Sequence, residues 1–233
     1  MKIRAAVLEE MERPRPYAKS RPLVIADVDL DGPGEGELLL RIHAAGLCHS
    51  DLSTINGDRP RQMPMVLGHE AAGEVMETGP AVRDLKAGDH VIVVFVPSCG
   101  HCLPCAEGRP ALCEPGAKAN GAGTLLSGGM RLSRKGQTVY HHIGVSAYAE
   151  YAVVSRRSVI KVDRSLAYEE AALFGCAVVT GAGAVINTAK VPAGSSTAVV
   201  GLGGVGLMSV MAAKLSGCRQ IVAIDMLQSK LDL

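Results

Sequence analysis

The chain has 233 residues, of which 48% are hydrophobic and 20% charged, and it carries a formal net charge of +1. These proportions suit a soluble globular protein of one or two domains. The near-neutral charge gives neither nucleic acid nor an anionic membrane an electrostatic reason to bind.

The start, Met1-Lys2-Ile3-Arg4, reaches Glu9-Glu10 without the long apolar core of a secretory signal. Residues 5–8, 37–44, 71–77, 90–96 and 149–154 are short β-rich runs. Turns such as Asp31-Gly32-Pro33-Gly34 and Lys86-Ala87-Gly88-Asp89 separate them, a spacing that predicts a small β-barrel or sandwich. From about Leu166 the texture becomes alanine-rich and helical. Two uncharged stretches, 171–189 and 191–213, raise the question of a membrane span, but Gly, Thr, Ser or Pro breaks each. Buried α/β elements account for them better. The predicted organisation is α/β with a β-rich N-terminal part: one domain over 1–178 and another over 179–233.

Within the first domain, the loop 97–115 forms its own lobe. It holds Cys99, Cys102, Cys105 and Cys113 among Pro97, Gly100, Pro104, Gly108 and Pro110. Four thiolates close a tetrahedral shell, which predicts a structural zinc site. An iron–sulfur site is the main competitor, but its bacterial spacing ends in a shorter gap, and no second cluster is present. His101 reads as a loop residue, because four sulfurs already fill the shell. This cysteine usage fits a reducing cytoplasm better than a disulfide framework.

Residues 196–200 form an apolar run that leads into Gly201-Leu202-Gly203-Gly204-Val205-Gly206, and residues 221–224 lead into Asp225. A strand, a glycine turn, a helix and a second strand ending in an acid make up the dinucleotide-binding fingerprint. Gly201 permits the tight turn, Gly203 lets the backbone approach a pyrophosphate, and Gly206 allows close helix–strand packing. The helix N-terminus then offers N–H groups and its positive dipole end to the phosphates. A carboxylate at Asp225 suits ribose hydroxyls and repels a 2′-phosphate, which favours NAD over NADP.

Cys48, the pair His69-Glu70 and Cys176 remain. Taken singly, each reads as an ordinary core residue. Together, two Cys and one His make the three-ligand set of a catalytic zinc that keeps one position open.

With the cluster and the fingerprint, these residues resemble the zinc-containing medium-chain alcohol dehydrogenase family. The match runs in order along the whole chain, including Gly-Asp-His-Val at 88–91 and Gly-Gly-Val-Gly at 203–206. The resemblance implies a GroES-like β-barrel catalytic domain followed by a Rossmann domain, with two zincs per chain and NAD as cofactors. It implies that Cys48, His69 and Cys176 hold the catalytic zinc, with Glu70 able to approach it and Asp51 orienting His69. Ser50 matches the hydroxyl that passes the substrate proton, and Phe95 a wall of an apolar pocket. His49 matches a cofactor-phosphate contact, Lys230 a contact to the adenosine ribose, and Thr180 a nicotinamide-side contact. Ser53 stands where many relatives carry a relay histidine, so proton transfer beyond Ser50 departs from the pattern.

The implied reaction is hydride transfer between a primary or secondary alcohol and NAD in the cytoplasm, in an enzyme that dimerises at full length. A glutathione-linked formaldehyde dehydrogenase shares every motif. A zinc-free quinone reductase is disfavoured by the ligands. Only two strands of the Rossmann sheet are present, so the domain is expected to be incomplete. A zinc-binding fragment with little turnover is therefore a further alternative.

Overall fold

In the computed structural model, which describes residues 1–233, strand β1 (Lys2–Leu8) buries Ile3, Ala5 and Val7 while Lys2 and Arg4 stay exposed. That period of two is the mark of a strand with one wet face. β1 pairs antiparallel with β2 (Leu23–Leu30) from Lys2↔Asp29 to Leu8↔Leu23. With β4 (Met65–Val66), β7 (Leu132–Arg134) and β8 (Gln137–His141) these strands close a barrel in the order β1-β2-β7-β8-β4. Its interior is filled by Ile3, Val7, Val28, Leu30, Leu132 and Val139.

A five-stranded sheet accompanies the barrel, ordered β10 (Val159–Lys161), β6 (His90–Val93), β5 (Ala71–Thr78), β3 (Glu37–Ala45) and β9 (Tyr151–Ser155). Leu38, Leu40, Val75, Val91, Val93 and Val154 form its core. β3 shifts register between Leu39 and Leu40 and again between Ile42 and Ala44, and such bulges bend a strand and re-aim its end. The last pair of this ladder is Ala45↔Ala71. It places the segment beyond Ala45, which opens α2 (His49–Ile55), beside the residues that precede β5. The Gly46 N–H donates to the Glu70 carbonyl at 2.7 Å and closes that junction.

Short helices fill the connections: α1 (Tyr17–Ser20), α3 (Leu103–Ala106) and α4 (Glu114–Ala122). Helix α5 (Tyr168–Leu173) buries Ala171 and Ala172 with Ala72 of β5 and Ile92 of β6. The helical stretch Tyr168–Thr188 is long and apolar enough, by length and composition, to cross a membrane. Its first turns are nonetheless engaged with the sheet through Ala171 and Ala172. Two of its turns, Phe174–Val178 and Ala184–Thr188, are π-helical, a geometry that recurs at functional sites.

The chain divides into two compact units, Met1–Gly175 and Cys176–Leu233. The second contains α6 (Val179–Gly183), β11 (Ser196–Val200), α7 (Gly204–Leu215), β12 (Gln220–Ile224) and α8 (Gln228–Leu231). β11 and β12 pair in parallel from Ser196↔Gln220 to Val200↔Ile224, and α7 is the crossover that parallel pairing requires. Ala212 and Ala213 of α7 pack with Val185.

Candidate metal centres and cofactor turn

The cysteine lobe is built from tight turns that aim sulfurs inward. Cys102 precedes α3, Pro104 occupies its first turn, and Cys113 is the N-cap of α4. Backbone N–H groups already point at sulfur: Cys99 N–H to Cys113 Sγ at 3.2 Å, Cys102 N–H to Cys99 Sγ at 3.3 Å and Gly116 N–H to Cys113 Sγ at 3.4 Å. The four Sγ atoms of Cys99, Cys102, Cys105 and Cys113 all lie within 4.8 Å of one another. Zinc–sulfur bonds of about 2.3 Å require sulfurs about 3.8 Å apart, so the donor set fits a tetrahedral zinc with small adjustment. The crowded thiols differ in acidity. The His101 N–H, with that of Cys102, draws Cys99 down to about 6 against its burial. At Cys105 the Gly100 N–H is outweighed by desolvation and by the neighbouring thiols, which push it up to about 12. A bound cation would favour the thiolate form of all four. His101 is exposed, with Nδ1 3.1 Å from the Cys99 carbonyl oxygen, and is a loop residue.

A second donor group gathers where α2 meets the turn before β5. Cys48 stands at the N-terminus of α2, half-buried, and His69 and Glu70 are buried. Asp51 joins the two segments. Its Oδ2 accepts from the Cys48 N–H at 3.3 Å, and its Oδ1 accepts from the Gly68 N–H at 3.1 Å and faces His69 Nδ1 at 3.2 Å. The Tyr148 hydroxyl reaches Oδ2 at 3.1 Å, and His142 Nδ1 stands 3.3 Å from Oδ1. Burial opposes a charge on Asp51, but His142 and His69 outweigh it and hold the carboxyl well below the usual range. Burial likewise opposes a charge on His69, and Asp51 and Cys48 outweigh it, raising the ring to about 9. A metal ion at the Nε2 side would replace that proton, with Nδ1 kept by Asp51.

Phe95 is half-buried and meets the His69 ring edge-on at 5.5 Å. Ser50, half-buried on α2, accepts from Arg59 Nη1 at 3.3 Å through its Oγ, while its carbonyl accepts from the Thr54 hydroxyl. His49 is exposed at the head of α2, and Ser53 is buried. Cys176, the first residue of the second unit, is buried. The residue before it is held closely: a Cβ on Gly175 would stand 2.0 Å from the Val93 carbonyl oxygen, so only glycine lets the chain pass β6 here.

In the second unit, the glycine turn has the form that the fingerprint predicts. Gly201 has φ +91 and Gly203 is the N-cap of α7. A Cβ on Gly206 would lie 1.8 Å from the Gly201 carbonyl oxygen, whereas Gly203 has open space beside it. Gly204 and Val205 are exposed at the first turn, and Thr180 is exposed on α6. Asp225 does more than the sequence reading assigned. Its Oδ2 accepts from the Leu202 N–H at 2.8 Å and its Oδ1 from the Leu227 N–H at 3.0 Å, with Lys230 Nζ 3.7 Å away. Those N–H groups, first Leu202 and then Leu227, hold its carboxyl below the usual range. The acid therefore secures the turn as well as standing at its mouth.

His142, Tyr148 and Arg59 escaped the sequence reading. Tyr148 lies 97 positions from Asp51, so no local spacing could connect them.

A family model described as the alcohol dehydrogenase GroES-like domain matches residues 34–164. An S-(hydroxymethyl)glutathione dehydrogenase from Synechocystis sp. is 42% identical over 234 residues, covering 100% of this chain and 61% of the relative. One from Escherichia coli O139:H28 matches with the same identity and coverage. Among solved structures, an alcohol dehydrogenase zinc-binding domain protein from Burkholderia ambifaria superposes with a TM-score of 0.91 at 37% identity, covering 100% of this chain and 61% of that one. Benzyl alcohol dehydrogenase from Acinetobacter calcoaceticus gives a TM-score of 0.89 at 33% identity, with 100% and 60% covered. The chain thus spans about 61% of the length of the curated relatives it matches.

Proposed function

This chain belongs to the alcohol dehydrogenase family built on a GroES-like domain, and on that premise we propose that it oxidises alcohols with zinc and NAD. The catalytic zinc is held by Cys48, His69 and Cys176, the structural zinc by Cys99, Cys102, Cys105 and Cys113. The observation that carries the reading is the Asp51 carboxylate, which ties the Cys48 backbone and the His69 ring into one frame. When bound, zinc supplies Lewis acidity and NAD supplies the hydride acceptor for conversion to an aldehyde or ketone.

The chain's own residues orient and relay. His69 keeps Nδ1 towards Asp51 and would present Nε2 to the ion, and Glu70 is a buried carboxylate one residue on that could exchange with a ligand. Phe95 supplies an apolar wall beside His69. Ser50 takes the substrate proton; because Arg59 donates to its Oγ, its own O–H is left to point elsewhere. With Ser53 at the usual relay position, the proton leaves Ser50 through water or another group. Gly201, Gly203, Gly204, Val205 and Gly206 receive the pyrophosphate at the head of α7, Asp225 and Lys230 the ribose, His49 a phosphate and Thr180 the nicotinamide side. The division of labour falls near residue 178, with both zinc sites before it and, His49 apart, the NAD contacts after it. The substrate is a small alcohol met in the cytoplasm, and the working assembly is a homodimer.

NADH formation by the zinc-loaded chain with primary, secondary and aromatic alcohols tests this. Turnover that disappears in Cys48→Ser supports the reading. Turnover that survives Cys48→Ser and metal removal contradicts it. A second substrate reading, S-(hydroxymethyl)glutathione, is favoured by the names of the curated relatives. A kcat/KM for that adduct far above those for simple alcohols would establish it.

A further inference from the structure

Asp51 is one contact away from the proposed metal, and the structure shows what in turn holds Asp51. The carboxylate meets the N–H groups of Cys48 and Gly68, the rings of His69 and His142, and the Tyr148 hydroxyl. A carboxylate offers about four lone-pair sites, so these groups compete, and their balance sets its rotation. On the Oδ2 side the restraint is soft. The single Tyr148 proton is shared between Asp51 and the Gly46 carbonyl oxygen, at 3.1 and 3.0 Å. On the Oδ1 side stand the Gly68 N–H, His69 itself and His142.

His142 is 2% exposed, and its buried Nδ1 completes no aligned hydrogen bond, with Asp51 Oδ1 standing 3.3 Å away as the acceptor it faces. Leaving such an atom buried costs about 1–3 kcal/mol, so a purely space-filling role would be served better by an apolar side chain. The rest of the residue is anchored. Its N–H donates to Ser146 Oγ at 2.9 Å, and its Nε2 lies 3.5 Å from the Thr54 hydroxyl on α2, the helix that carries Asp51. Its ring also meets that of His69 edge-on at 5.5 Å.

We propose that His142 is a positioning residue for the metal centre: it braces Asp51 Oδ1, so that Asp51 holds the His69 ring in the orientation a metal ion requires. The inference rests on the ligand set proposed above. Removing a group that supports a metal ligand weakens metal binding by about 10–100-fold, and His142 acts through Asp51, at the low end of that range.

The test is cobalt(II) titration of the metal-stripped full chain, with Cys48→Ser subtracted to isolate the Cys48-dependent absorption. His142→Leu should weaken that component about 10-fold and change its d–d bands, while cobalt in the cysteine lobe binds as before and reports an intact fold. His142→Asn, whose amide N–H can stand where Nδ1 stands, should recover affinity to within about 3-fold. A His142→Leu chain with native cobalt affinity and spectrum would overturn the proposal. So would a His142→Asn chain as weak as His142→Leu, since the donor would then be irrelevant. If the native chain shows no Cys48-dependent cobalt at all, the ligand set itself is wrong and the inference goes with it.

Discussion

His141 makes the acid stability of the first unit predictable. The ring is 1% exposed, its Nε2 accepts the Arg131 N–H at 3.1 Å, and burial lowers its pKa from 6.5 to about 4, with Glu37 opposing and Arg131 assisting. The folded protein therefore resists a proton that the unfolded chain takes up readily. Above 6.5 both states are neutral and nothing is lost. As the pH falls from 6.5 to about 4, the unfolded chain binds the proton first and stability drains away. At about 1.4 kcal/mol per pH unit the gap amounts to about 3 kcal/mol. Urea unfolding at a series of pH values, followed by circular dichroism, measures this in the native chain and in His141→Gln. The Gln side chain can still accept the Arg131 N–H but does not titrate. The native protein should lose about 3 kcal/mol more than the variant over that range. Parallel stability curves would refute the argument.

Gly206→Ala would put a Cβ 1.8 Å from the Gly201 carbonyl oxygen, forcing α7 off its turn. It should cost about 1–3 kcal/mol in urea unfolding and abolish measurable NAD binding by calorimetry. Arg131→Leu strips the partner 2.8 Å from Glu37, a carboxylate that is 1% exposed. Because Arg131 itself reaches solvent, a loss near 3 kcal/mol in the same assay is expected, at the low end for a broken buried pair. Burial alone would raise the Glu37 pKa, but Arg131, Ser127 and the Gly34 N–H lower it overall. The stability this brings is present above the ordinary carboxylate range and is lost as pH falls through the lowered value, an acid limb that Arg131→Leu should remove. Cys102→Ser opens the closed thiolate shell, and should lower the thermal midpoint and release one zinc to a chelator while leaving the Cys48-dependent metal in place.

Local spacing explains what could be read in advance. Cys99 to Cys113 and Gly201 to Gly206 are contiguous motifs whose geometry follows from a few dihedrals, so their residues alone announce the lobe and the turn. The Asp51–His69 link was legible only through resemblance, because it depends on the Ala45↔Ala71 register between β3 and β5. His142 and Tyr148 were not legible, since a histidine just past a strand's end and a tyrosine in the loop after it look like ordinary core. Strands also escaped where the pattern is faint. β2 fully buries only Val28 and Leu30, and β7 is three residues long and defined by its neighbours. Asp225 shows the converse: its fingerprint position suggested ribose, while its bonds to Leu202 and Leu227 show that it also secures the turn.

Two separate zinc centres in one chain would each lose their ion to a different substitution. Metal analysis of the purified chain, beside Cys48→Ser and Cys102→Ser, separates the two. About two zincs per native chain and about one in each variant are expected, with the Cys48→Ser chain keeping the lobe's ion. One zinc per native chain, unchanged by Cys48→Ser, would contradict the assignment of two centres.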